Sequence, residues 1–319
     1  MEHTRALGKT ALIVPRLGIG TMVWGQPKGL GRWTPAQQAY GPSEGADEEE
    51  RALEASLAAG VNLLDTAEFY SLGASERRVG ELTRGRDVII ATKFPPSPFS
   101  GINAFPKALA DSLRRLQRQS IDLLQHHFPS NRMPIPKLMN ALADAVEAGR
   151  VRAVGVSNYS AAQMRLAHAE LAKRGIPLAS NQVQYSLLCR RPEVDGVMDA
   201  CRDLGVTLIA YSPLAMGALT GKYTATATPR GLRRFLGAFR GNAIRAWQPV
   251  VDLLRKIAEK HAKTPSQVAL RWLMENDLVL PIPGAKNAGQ AAENAGALSF
   301  SLTADEVEAL DMITRPWRK

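Results

Sequence analysis

Val61-Asn62-Leu-Leu-Asp65-Thr-Ala-Glu-Phe-Tyr70 is a short apolar run that ends on a carboxylate and, five residues later, on a phenol. Two more apolar runs close in a similar way, Val88-Ile-Ile-Ala-Thr-Lys93 on an ammonium and Ile121-Asp-Leu-Leu-Gln-His-His127 on an imidazole. Runs of this length between turn signals read as buried strands. Reactive side chains on the C-terminal ends of several different strands are the mark of a barrel whose active site lies on its loop face.

Working outward from these runs, short apolar segments alternate with longer amphipathic ones almost throughout, the rhythm of repeated β-α units around a parallel sheet. Eight strands are expected, at Leu17 to Gly20, Val61 to Asp65, Val88 to Lys93, Ile121 to His127, Val151 to Ser157, Ala179 to Gln184, Thr207 to Tyr211 and Leu278 to Pro281. Helices are expected between them. Asp47 to Ala59 opens on carboxylates that suit the positive end of a helix and stops at Gly60, and Ile135 to Ala148 stops at Gly149. After Tyr211 comes a long stretch rich in Gly, Thr and Arg, then helical patterns over Trp247 to His261 and Thr264 to Asn276, the second with Thr264 as cap and Pro265 at its first position. Arg5 to Val14 alternates around Gly8-Lys9 and reads as a hairpin covering the barrel bottom. The fold class is therefore α/β: a (β/α)8 TIM barrel with an N-terminal β-hairpin and an extra helical insertion after strand 7. The 319 residues suit one barrel domain, 1–319.

Composition bounds the function. With 45% hydrophobic and 22% charged residues the chain lies far from disorder. The formal charge of +10 could serve nucleic acid, a membrane surface or an anionic small molecule; no run of more than two consecutive basic residues appears and aromatic content is only 6%, so nucleic acid is not the expected partner. Cys189 and Cys201 supply neither a disulfide framework nor a zinc site, and no metal is expected. No apolar run approaches the ~18 residues of a membrane span, and a cytoplasmic protein without membrane partners is expected.

The four groups fit one chemistry. Reducing a carbonyl requires hydride at carbon and a proton at oxygen, so an acid must stand beside that oxygen. Tyrosine can be the acid, although its reference pKa of ~10 is high; a nearby ammonium such as Lys93 favours the tyrosinate. A carboxylate such as Asp65 would keep a sequestered lysine charged and still. A neutral histidine could orient the substrate oxygen through a hydrogen bond. Spacing alone leaves the choice between His126 and His127 open, since neighbouring strand residues face opposite sides.

At these motifs the chain resembles the aldo-keto reductase superfamily, from about Gly18 to Asn294. The resemblance implies a catalytic tetrad of Asp65, Tyr70, Lys93 and His127. The family register of Asp, four residues, His, one residue, Pro selects His127-Phe-Pro129 and leaves His126 where an aliphatic residue is usual. It also implies NADPH/NADP+ bound without a Rossmann fold, and Gly18-Ile-Gly20-Thr-Met-Val indeed lacks the dinucleotide fingerprint. Gly20, Thr21 and Met22 at that strand end are expected beside the cofactor. Ser157, Asn158 and Gln182 would hold the nicotinamide carboxamide, with amide and hydroxyl groups that both donate and accept. Tyr211 would stack on the ring, next to Ser212 and Leu214. The adenosine end resembles Ile282-Pro-Gly284-Ala-Lys286-Asn287 followed by Gln290, Glu293 and Asn294, with Lys286 and Asn287 near a 2′-phosphate at a helix N-terminus. Many members carry a Lys-Ser pair where this chain has Gly284-Ala285. Lys222 and Arg230, the latter in an arginine-rich stretch, would contact the pyrophosphate.

For substrate, Met22, Trp24, Tyr70, the segment Phe94 to Phe99, Phe128 and Leu214 are expected to form an apolar, aromatic wall suited to aldehydes and ketones. Val151 to Tyr159 and Pro229-Arg-Gly-Leu-Arg-Arg234 are similar to a branch that includes plant plastid pyridoxal reductases, which makes pyridoxal a candidate. The alternative from another class is an NADPH-binding regulatory subunit, as with the potassium-channel β subunits that share the fold and tetrad. A monomer is what the family implies.

Overall fold

The computed structural model describes residues 4–26, 41–96, 101–224, 226–229, 231–240 and 242–319. Arg230 and residues 97–99 of the expected pocket wall lie outside them. Eight strands pair in parallel and in chain order: β3 (Ile19–Gly20), β4 (Leu63–Asp65), β5 (Ile89–Phe94), β6 (Ile121–His126), β7 (Val151–Ser157), β8 (Leu178–Gln184), β9 (Thr207–Tyr211) and β10 (Val279–Pro281). The last strand returns to the first. Gly18 N–H donates to Pro281 O at 3.0 Å, Gly20 N–H donates to Pro283 O at 2.9 Å, and Gly20 bridges Gly284 in parallel. The sheet thus closes into a barrel, which removes its exposed edges.

Side-chain alternation sorts each strand into two faces. Leu63, Ile89, Ala91, Leu123, Ala153, Ala179, Ile209, Leu280 and Ile282 fill the barrel interior, whereas Leu64, Ile90, Phe94, Leu124 and Val154 pack outward against the helices. Leu7, Leu12 and Val14 join the interior cluster. They come from the expected hairpin, β1 (Thr4–Ala6) against β2 (Ile13–Pro15), which plugs the N-terminal mouth. Its turn needs Gly8, whose φ is +59 and where a Cβ would stand 2.5 Å from Ala179 O.

Helices α1 (Ala46–Ala58) to α6, the last being Val197–Leu204, alternate with the strands as the sequence rhythm implies. The insertion after β9 is also present. It comprises short 3-10 turns at Ala215–Thr220, Gly231–Phe235 and Gly237–Phe239, then helix α7 (Ala243–His261), before α8 (Pro265–Met274) resumes the barrel. An edge-to-face run of Tyr223, Phe239 and Trp247 holds it together, and the Trp247 indole donates to Ala238 O at 2.8 Å. Helix α7 begins at Ala243 rather than at the expected Trp247, because Ile244 lies on the same buried face as Trp247 and Val251. Thr264 caps α8 in a reciprocal box with Gln267, as expected from Thr264-Pro265. Helix α9 (Ala288–Ala295) follows β10, and α10 (Ala304–Ile313) ends the fold.

Candidate active site

Alternation along the strands fixes which reactive groups enter the barrel. Leu63 and Asp65 share the inner face of β4, Ala91 and Lys93 that of β5, and Leu123 and Gln125 that of β6, a parity that His127 continues. His126 therefore turns outward, toward Phe94 and Tyr159. Between the two histidines, the strand parity agrees with the family register.

Lys93 is fully buried and its Nζ makes three contacts: Asp65 Oδ1 at 2.5 Å, Thr66 O at 2.9 Å and Tyr70 Oη at 3.3 Å. Burial alone would discharge this lysine, but Asp65 and then Tyr70 outweigh it and hold the ammonium above its ordinary pKa. The other oxygen of Asp65 accepts from Gln182 Nε2 at 2.8 Å and from Gln125 Nε2 at 3.5 Å. His127 stands edge-on to the Tyr70 ring, with centroids 5.9 Å apart. Burial, followed by the Lys93 charge and His126, pushes its imidazole down to about 3, so the ring is neutral at physiological pH. Tyr70 opens a 3-10 turn, Tyr70–Gly73, in which Ser71 and Leu72 both take left-handed φ values of 49 and 56. Backbone strain of this kind gathers where a side chain must be aimed.

The amide and hydroxyl group expected at a carboxamide is also assembled. Ser157 Oγ donates to Gln182 O at 2.8 Å, and Asn158 Nδ2 donates to His127 O at 3.1 Å and to Ser157 Oγ at 3.0 Å. Tyr211 Oη donates to Asn158 Oδ1 at 3.1 Å. Gly20 and Met22 are half-buried, as are Tyr211, Ser212 and Leu214, while Thr21 is spent inside the wall, donating to Asp65 O at 2.9 Å.

At the other end, Lys286 is lowered in pKa by burial and then by the charges of Arg233 and Lys222. Three cations thus gather from the insertion and the β10–α9 turn. Arg233 Nη1 donates to Tyr223 Oη at 3.0 Å and lies near Gly217, as does the Lys222 side chain. Lys222 and Lys286 are expected from the sequence and Arg233 is not; its place among closely spaced arginines is the only signal. Asn287 caps α9 by accepting from Gln290 N–H at 2.8 Å, Gln290 Oε1 accepts from Lys286 N–H at 3.0 Å, and Asn294 donates to Gly284 O at 3.2 Å. Glu293 accepts from Thr264 at 2.8 Å.

Two expected wall residues need correction. Phe94 follows Lys93 and so faces outward, packing on Phe105 with centroids 5.1 Å apart; it is core. Trp24 is wholly buried, its indole donating to Ala285 O at 2.7 Å, and it belongs to the same core. Phe128 does reach the surface. It is 46% exposed and stacks on His127 at 4.4 Å between centroids. Gln125, missed in the sequence, was legible from its parity with Lys93-like inner positions, two residues before His127.

The chain is similar to proteins of one family. The sequence profile of the Aldo/keto reductase family matches residues 16–315. A chloroplastic pyridoxal reductase of Arabidopsis thaliana is 37% identical over 312 residues, covering 92% of this chain and 82% of its own. An aldo-keto reductase, str7, of Strobilurus tenacellus is 35% identical over 321 residues, covering 96% and 90%. Among solved structures, a glycerol dehydrogenase from Gluconobacter oxydans superposes with a TM-score of 0.83 at 29% identity over 98% of this chain and 94% of its own. An aldo-keto reductase from Klebsiella pneumoniae in complex with NADPH gives 0.77 at 27% identity, covering 98% and 96%. A closed eight-stranded barrel, four reactive side chains meeting at its mouth and relatives of this kind together show that the chain belongs to the aldo/keto reductase family of oxidoreductases.

Proposed function

We propose that the protein reduces an aldehyde or ketone to the alcohol with NADPH, and that Tyr70 supplies the proton. The observation that carries this reading is the chain Asp65–Lys93–Tyr70, in which a buried, charged ammonium stands 3.3 Å from a phenol oxygen. As Tyr70 releases its proton to the carbonyl oxygen, negative charge develops on its own oxygen, and Lys93 stabilises it in place. Asp65 keeps Lys93 charged. Neutral His127 can donate to the carbonyl oxygen and orient it without bringing a competing charge.

The residues present fit NADPH. When bound, the nucleotide supplies the hydride. Ser157 and Asn158 offer donors and acceptors suited to a carboxamide, and Tyr211 a ring face. The charges of Arg233 and Lys222 bear on Lys286, with Glu44 opposing them, so the three cations suit an anion; the pyrophosphate and the 2′-phosphate are such anions.

Pyridoxal is the specific candidate. The 37% identical Arabidopsis relative carries that name, and the exposed Phe128 ring over His127 offers a platform for a planar heterocycle. The test is NADPH consumption followed with pyridoxal beside short aldehydes, ketones and quinones. Many turnovers per protein with one of them support the reading; a single turnover with all of them favours the regulatory alternative.

A further inference from the structure

His126 has no part in the chemistry above, yet it is wholly buried directly behind it. Its ring lies 5.2 Å from Phe94 and perpendicular to Tyr159, and its Nδ1 is 2.9 Å from Tyr159 Oη. Its Nε2 has no partner among the described residues. A buried nitrogen without a partner costs stability, so a leucine would fill the space more cheaply. What a leucine cannot supply is the hydrogen bond to Tyr159.

Tyr159 is 1% exposed and follows Asn158 in the chain. Its backbone is clamped as well, the C=O accepting from Asn181 Nδ2 at 2.9 Å and the N–H donating to Asn181 Oδ1 at 3.4 Å. With ring and backbone fixed just after it, Asn158 is held at φ 59, a left-handed conformation uncommon outside glycine. From there its amide reaches His127 O, Ser157 Oγ and Tyr211 Oη. Burial lowers His126 to about 4 and raises the Tyr159 phenol, so both partners of this bond stay neutral across the physiological range.

Resting on the reading that Asn158 holds the nicotinamide carboxamide, we propose that His126 and Tyr159 are positioning residues whose hydrogen bond, made outside the barrel wall, sets Asn158 and thereby aligns the nicotinamide ring inside it. They touch neither substrate nor nucleotide. Their effect is confined to the ring end of the cofactor.

The test compares two ligands on the full chain by equilibrium binding: NADPH, and 2′-phospho-ADP-ribose, which has every part of NADPH except the nicotinamide. Tyr159→Phe removes one oxygen atom. It should weaken NADPH about tenfold, the worth of one hydrogen bond, and slow single-turnover hydride transfer, while leaving 2′-phospho-ADP-ribose unchanged. His126→Leu should do the same, and the double variant should be no worse than either single one. Equal weakening of both ligands, no weakening of either, or additive losses would overturn the proposal. If His126→Leu does not fold, Tyr159→Phe decides alone. A wild-type protein that binds 2′-phospho-ADP-ribose as tightly as NADPH would overturn the carboxamide reading of Asn158, and one that binds neither would overturn the NADPH reading itself.

Discussion

Lys93 Nζ lies 2.5 Å from Asp65 Oδ1, and both side chains are almost completely buried. Removing one partner of such a pair leaves an uncompensated charge, at a cost of about 3–5 kcal/mol. Asp65→Asn should therefore lower stability by that order in urea denaturation and also reduce turnover, since Lys93 then loses the group that keeps it protonated. A variant of unchanged stability would show that the pair is not buried in solution.

The same pair predicts an alkaline limit. Lys93 has a folded pKa above the ordinary 10.5, so its contribution to stability is complete below that value and is lost as pH rises through the folded one. Wild type should lose stability above about pH 10.5 more steeply than Lys93→Met, measured by chemical denaturation.

The histidines act at the acid end. His127 is pushed down to about 3 and His126 to about 4, so between the ordinary 6.5 and those values only the unfolded chain takes up the proton. Stability then falls as pH is lowered below 6.5, by at most about 1.4 kcal/mol per pH unit for each ring. His127→Gln should show a shallower acid slope than wild type between pH 6 and 4, and identical slopes would contradict the buried neutral imidazole.

Lys286→Ala should weaken NADPH by about 10- to 100-fold, the range of a hydrogen bond to a charged group, and NADH far less. Arg233→Ala, if that guanidinium serves the pyrophosphate, should weaken both nucleotides alike. Equal losses for Lys286→Ala would remove it from the 2′-phosphate.

Phe94→Ala should cost about 3–5 kcal/mol of stability, as for a large side chain lost from a core, without changing the order of preference among carbonyl substrates. A changed order with little loss of stability would return Phe94 to the pocket.

Much of the fold was legible because the strands are short apolar runs set off by turn and helix signals, and because a parallel barrel repeats one unit. Strand limits differed by one or two residues where a chain enters the sheet before its ladder begins, as at Leu17 and Val61. That Asp65, Lys93 and His127 would lie close together was legible for the same reason, since each is within one residue of the end of a strand, and Tyr70 follows Asp65 by five positions. Orientation within the wall was less so. Phe94 looked like a pocket residue by its neighbourhood to Lys93, but one step along a strand reverses the face. Trp24 lies in a loop, where no period predicts direction. Arg233 was hidden for another reason: the pairing of the insertion with the β10–α9 turn joins residues about fifty positions apart, and nothing local in the sequence records it.

The central claim is that Tyr70 donates the proton, and the direct measurement is single-turnover reduction of a carbonyl substrate by Tyr70→Phe with NADPH bound. The account predicts NADPH affinity within about twofold of wild type and hydride transfer slowed by at least about 100-fold, the lower range for a lost general acid. Hydride transfer at the wild-type rate would contradict it.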